Sequence, residues 1–160
     1  MPILSFKDFD KNKYEKYAKF DGKILIIGYG SVGQAILPVV LRHLVVDPKN
    51  ITVLERDNHR QLFIKRHGGS GVNYVREEIK PSNYKKELKK YVGEGDLIIN
   101  ASLNIDAQAL LTWCAENGVM EIDTSLERWE HNPDETIPQL SERTLYHTHN
   151  VMREALSKYP

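Results

Sequence analysis

Lys23-Ile24-Leu25-Ile26-Ile27-Gly28-Tyr29-Gly30-Ser31-Val32-Gly33 decides the fold. Its apolar run reads as a strand covered on both faces, as in a parallel sheet. The run enters a G-x-G-x-x-G turn, and Ile36, Leu37, Val40, Leu41 and Leu44 follow at helical spacing. A strand, turn and helix with glycines at these offsets set the start of the helix against a diphosphate. Gly28 permits the tight turn, Gly30 has no side chain to hold phosphates away, and Gly33 lets the helix lie close on the strand. The free N–H groups of the first helical turn, at Ser31, Val32 and Gly33, point at the anion, and the helix dipole favours negative charge there. Pro38 falls inside the helix, removes one hydrogen bond and should bend it.

Working outward, Ile51-Thr52-Val53-Leu54 forms a second strand after the turn Asp47-Pro48-Lys49-Asn50. Asp57 and Asn58 are candidate caps for a short helix through Leu62, Phe63 and Ile64, stopped by Gly68-Gly69. Val72 to Val75 is a weaker third strand. Ser82 can cap a helix bearing Tyr84, Leu88, Tyr91 and Val92, and Asp96 to Ser102 reads as a fourth, buried strand. A helix from about Asp106 carries Ala107, Leu110, Leu111 and Cys114 and ends at Asn117-Gly118, before a fifth strand at Val119 to Ile122. The pattern then fades over Thr124 to Pro138, and a last helix is expected over Leu140 to Leu156. Strands alternating with helices indicate an α/β fold: a Rossmann-like, doubly wound parallel sheet in three layers, with five to six strands. The expected organisation is an extension over 1–21, a dinucleotide-binding domain over 22–139 and a helical segment over 140–160.

Composition narrows the function. Lys plus Arg and Asp plus Glu number 22 each, so there is no basic excess of the kind nucleic-acid binding uses. The Lys-rich stretches 11–19 and 85–90 read as solvated helix faces. No apolar run approaches the roughly 20 residues of a membrane span. The single cysteine, Cys114, fits a reducing compartment and a buried position, so a cytoplasmic location is expected. His147 and His149 lack a third ligand at a supporting spacing, and no metal site is expected.

Glu55 ends the second strand, 22 residues after Gly33. Dinucleotide folds place a carboxylate there to accept the hydroxyls of the adenosine ribose. A carboxylate repels a 2′-phosphate, which argues for NAD, whereas Arg56 beside it can pair with that phosphate. Asp57 is a second ribose candidate. Asn100-Ala101-Ser102 ends the fourth strand near the switch point of the sheet, where Asn100 or Ser102 can bond a ribose or the nicotinamide side. Equally, Asn100 can simply open the turn. Asp123 and Thr124, leaving the fifth strand, can contact the nicotinamide ribose or act as caps, and Trp129 can wall a substrate pocket.

The run Phe20 to Gln34 with Leu37-Pro38, together with Leu41-Arg42-His43, Asn100-Ala101-Ser102 and Ile122-Asp123-Thr124-Ser125-Leu126-Glu127-Arg128-Trp129-Glu130, resembles the N-terminal part of bacterial homospermidine synthases. These are relatives of saccharopine dehydrogenases, and the similarity touches most of residues 20–155. It implies that putrescine units become homospermidine through NAD-dependent oxidation, exchange of the imine with a second amine, and return of the hydride. It also implies a possible homodimer and a larger second domain that supplies most of the diamine pocket. Glu127, Trp129 and Glu130 are then the pocket-edge candidates, and this chain alone is expected to give no turnover. Without the resemblance, a nucleotide-sensing regulatory domain binding NAD or ATP stands as the alternative. A methyltransferase stands third, since its antiparallel final strand has no counterpart here.

Overall fold

The computed structural model describes residues 14–129 and 139–159. Five strands form one parallel sheet: β2 (Ile24–Ile27), β4 (Ile51–Glu55), β5 (Asn73–Arg76), β6 (Leu97–Asn100) and β7 (Met120–Asp123). Their order is β5-β4-β2-β6-β7, so the chain starts in the middle, builds outward one way and then returns to build the other. This is the doubly wound Rossmann-like arrangement that the strand pattern predicted. The ends of the strands are aligned, with Ile27 opposite both Leu54 and Asn100, and Asn100 opposite Asp123.

Alternation within β2 divides the core. Ile24 and Ile26 face a layer containing Leu37 and Val40 of α1 (Ser31–His43) and Phe63 of α2 (Arg60–His67). Leu25 and Ile27 face Leu88 of α3 (Tyr84–Tyr91) and Leu110 and Trp113 of α4 (Ala107–Glu116). All four β2 residues are at most 2% exposed, which is why no polar residue interrupts the run. Asp106 caps α4 by accepting from the Ala109 N–H at 2.8 Å. The lysines of α3 are exposed, and Cys114 is buried with its thiol pushed up to about 12 by desolvation.

Several expectations change. Among residues 14–21 the Lys-rich stretch is not a solvated helix face but packs against the end of α1. Ala18–Lys19 forms a short strand, β1, parallel to β3 (Leu44–Val45). Leu44 therefore begins a strand instead of closing the helical stripe, and Lys16 donates to the carbonyls of Leu41 and Leu44 at 2.8 and 3.1 Å. Neither Asp57 nor Ser82 caps a helix: α2 starts after His59 and α3 after Asn83, neither with a side-chain cap bond. Pro38 does lie inside α1, as expected, and the helix continues through it to His43. The last helical stretch is two pieces, a 3-10 turn at Leu140–Arg143 and α5 (Leu145–Leu156), separated by Thr144, whose hydroxyl accepts the His147 N–H. α5 packs on α4. No described helix is long and apolar enough to cross a membrane.

Leu25, fully buried in the central strand, sets the expected scale of stability. Leu25→Ala should lower it by about 2–5 kcal/mol in urea unfolding. Val39→Ala, on the 53% exposed side of α1, should change it by less than about 0.5 kcal/mol.

Candidate functional site

The carboxyl ends of β2, β4 and β6 open into a cleft of about 430 Å³. Gly28 and Gly30 line its floor, Glu55 to Asp57 and His59 one side, and Ala101 to Ile105 the other. A third wall, Glu77 to Pro81, follows β5, and Trp129 closes one end. Ligands of doubly wound sheets bind at this edge, where the chain leaves adjacent strands in opposite directions.

The three glycines have separate physical reasons. Gly28 has φ +94°, and a Cβ there would lie 2.7 Å from the Ala101 carbonyl oxygen. Its N–H meanwhile donates to the Leu54 carbonyl at 2.8 Å. At Gly33 a Cβ would meet the Gly28 carbonyl oxygen at 2.0 Å, so α1 and the turn touch backbone to backbone. At Gly30 a Cβ would meet nothing within 4 Å and would project into open space. Nothing in the described protein requires glycine there, whereas an anion seated on the helix N-terminus does. The residues present thus fit a diphosphate. Ser31 and Val32 are exposed at the first turn of α1, where no side chain satisfies the free N–H groups.

Tyr29, between the glycines, is fully buried beneath the turn. Its ring meets Phe63, His67 and Tyr74 at centroid distances of 5.3, 6.1 and 6.1 Å. Burial pushes its phenol up to about 12 and lowers the neighbouring His67 imidazole to about 4, so both are neutral at pH 7. Glu55 is 6% exposed at the end of β4. One carboxylate oxygen accepts the Tyr29 N–H, and the other accepts the Asp57 N–H at 2.8 Å. His59 Nδ1 stands 3.8 Å away. Each oxygen keeps a lone pair, so the carboxylate that fixes the turn can also accept a ribose hydroxyl. Arg56 is half exposed at the rim and lies 3.6 Å from Asp57.

Of the residues singled out from the sequence, Gly28, Gly30, Glu55, Arg56, Ala101, Ser102 and Trp129 line the cleft. Ser31, Val32 and Gly33 build its helix end. Asn100, Asp123 and Thr124 lie behind it: Asn100 donates to Asp123 at 3.0 Å, and the Thr124 hydroxyl donates to the Asn100 carbonyl at 3.0 Å. Glu127 contributes a backbone carbonyl that accepts the Ala107 N–H, and Glu130 lies outside the described residues. Sequence reasoning missed the wall over Glu77 to Pro81 and His59, which no motif marks. Among the described residues no group of three His, Cys, Asp or Glu is placed to hold a metal.

The pattern of the saccharopine dehydrogenase NADP-binding domain matches residues 24–160. The chain belongs to that family. It is 32% identical over 146 residues to a homospermidine synthase of Mesorhizobium japonicum, covering 89% of this chain and 28% of that protein. It is 30% identical over 117 residues to a homospermidine synthase of Blastochloris viridis, covering 71% and 24%. A crystal structure of homospermidine synthase from Legionella pneumophila in complex with NAD superposes with a TM-score of 0.73 at 24% identity, over 90% of this chain and 28% of that one. That likeness establishes the shared fold. The chain spans about a quarter of the length of the relatives it matches.

Two outcomes follow from the geometry. Gly28→Ala and Gly30→Ala should separate cleanly in thermal melts. The first should destabilise strongly through positive φ and the Ala101 contact, and the second should stay within about 1 kcal/mol of wild type. The edge-strand residue Glu121 gives a pH signature. Burial first, and Asp123 second, push its carboxyl from 4.5 up to about 7. The folded state thus holds this proton more tightly than the unfolded chain. The contribution of Glu121 to stability is complete below about pH 4.5 and lost as pH rises through about 7. Glu121→Gln should raise the melting temperature at pH 8 and change it little near pH 4.5.

Proposed function

We propose that this chain is the NAD-binding part of a homospermidine synthase-like enzyme. The observation that carries the reading is the buried Glu55 carboxylate beside the open Gly30 position, at the switch point of the sheet. The N–H groups from Gly30 to Gly33 would hold the diphosphate. Glu55 would accept the adenosine ribose hydroxyls, and Ser102 and Ala101 would border the nicotinamide half. Asn100, Asp123 and Thr124 would support that border from behind. Arg56 stays turned to Asp57 and solvent, which leaves the negative charge of Glu55 to discriminate against a 2′-phosphate.

Bound NAD would supply a hydride acceptor and, once reduced, a donor, so that a putrescine-type diamine is oxidised, exchanged and reduced again without net redox change. The protein's own task is orientation and exclusion of water. Trp129, packed against Tyr84 at 5.7 Å, walls the end of the cleft, and Glu127 and Glu130, which flank it in the sequence, are the acidic candidates for a cationic amine. In this reading residues 22–139 form the cofactor domain, 1–21 are an N-terminal extension, and 140–160 lead toward a substrate domain. A cytoplasmic location and a homodimer complete the proposal, with Cys114 buried and reduced.

Titration with NAD, NADP, ATP and S-adenosylmethionine tests this. NAD should bind more tightly than NADP, and Glu55→Gln should narrow that preference about tenfold, as expected when a repulsion of ~1.4 kcal/mol is removed. ATP binding with no response to NAD would instead favour a regulatory domain, and S-adenosylmethionine binding would overturn both.

A further inference from the structure

Ser102 borders the cleft at the end of β6, and the proton of its hydroxyl is already committed. Asn100, two residues earlier and 0% exposed, has its amide held between partners of opposite character. On one side is the Asp123 carboxylate, which accepts from Asn100 Nδ2 at 3.0 Å; a carboxylate accepts and does not donate. On the other is the backbone N–H of Ser102, which can only donate and lies 3.2 Å from Asn100 Oδ1. Turning the amide over would set oxygen against oxygen and N–H against N–H, so its orientation is fixed. Ser102 Oγ stands 2.6 Å from the same Oδ1. An amide oxygen has no proton to give, so the Ser102 hydroxyl must donate to it. What Ser102 presents to the cleft is lone pairs.

The geometry points to a relay from Asp123 through Asn100 that makes Ser102 a hydrogen-bond acceptor toward the bound ligand. The ligand group at that position must donate, as a ribose hydroxyl or a carboxamide NH2 does, and a carboxylate or phosphate oxygen is rejected there. Asn100 and Asp123 are positioning residues and Ser102 makes the contact. Asp123 is held in turn, its other oxygen accepting the Ser125 N–H at 2.9 Å. The inference rests on the cleft being a dinucleotide site and assigns the polarity of one of its contacts.

NMR titration of the 15N-labelled chain with NAD, ADP-ribose and the nicotinic-acid analogue of NAD tests it, with the amide spectrum reporting that each variant is folded. Ser102→Ala should weaken NAD about 3- to 10-fold, the value of one hydrogen bond. If the donor is a ribose hydroxyl, ADP-ribose loses the same factor. If it is the carboxamide, ADP-ribose is unaffected, and the nicotinic-acid analogue binds wild type less tightly than NAD. Asn100→Asp, which sets two carboxylates together, should weaken NAD comparably. Adding Asp123→Asn restores the donor and acceptor order and should return affinity to within about twofold of wild type, a recovery that a packing role alone does not give. Wild-type NAD affinity in Ser102→Ala, or a folded double variant without recovery, overturns the relay alone. Absence of binding of any of the three ligands to wild type overturns the dinucleotide reading and the relay together.

Discussion

The carbonyl oxygen of Gly28 occupies the place a Cβ would need at position 33, 2.0 Å from it. That backbone contact sets the separation of α1 from β2, and the rest of the site follows from it. With the helix seated so low, its N-terminus sits directly over the floor of the cleft. The aligned ends of β4, β2, β6 and β7 then bring Glu55 to one side of the cleft and Ala101 and Ser102 to the other, with Asn100 and Asp123 immediately behind. A single methyl group at position 33 would lift the helix and uncouple its amides from everything else at that edge.

An acidic residue at an anion site is a physical tension, and the structure resolves it by local pairing. The Glu55 charge is spread over two backbone N–H groups, one from the glycine turn and one from the rim. Behind the turn, the aromatic box of Tyr29, Phe63 and Tyr74 is uncharged, and His67 joins it as a neutral ring because burial holds its pKa near 4. A diphosphate on the turn therefore faces oriented amides over a neutral aromatic layer, while the Glu55 carboxylate is held by the Tyr29 and Asp57 N–H groups at the side where hydroxyls arrive.

The sheet was legible because β2, β4 and β6 are apolar at nearly every position and are bounded by turn residues; only their ends shift, by one or two residues. Glu55 was legible for a similar reason, since its distance from Gly33 is set by one helix and one strand. What escaped depends on contacts that leave no period. β1 and β3 are two residues each and pair across 26 positions of chain, so nothing local announces them. Asp57 has the composition of a cap, yet its N–H is drawn onto Glu55, which delays the helix to Arg60. The wall over Glu77 to Pro81 is at the cleft only because β5 lies beside β4. For Asn100, sequence left a choice between ligand contact and turn; burial and its partners on both sides show a side chain turned inward.

The segment over residues 14–20 closes on the far end of α1. Lys16 reaches the last carbonyls of the helix, Tyr17 stacks on His43 at 5.2 Å, and the N–H groups of Tyr17 and Phe20 donate to His43 and Val45. With the glycine contact at one end and this clasp at the other, α1 is denied sliding and fraying at both. The amides over the cleft are consequently ordered before any anion arrives, and association need not supply the conformational entropy of arranging them. A clasp about 13 residues of helix away from the phosphates thus acts as a preorganising element for affinity.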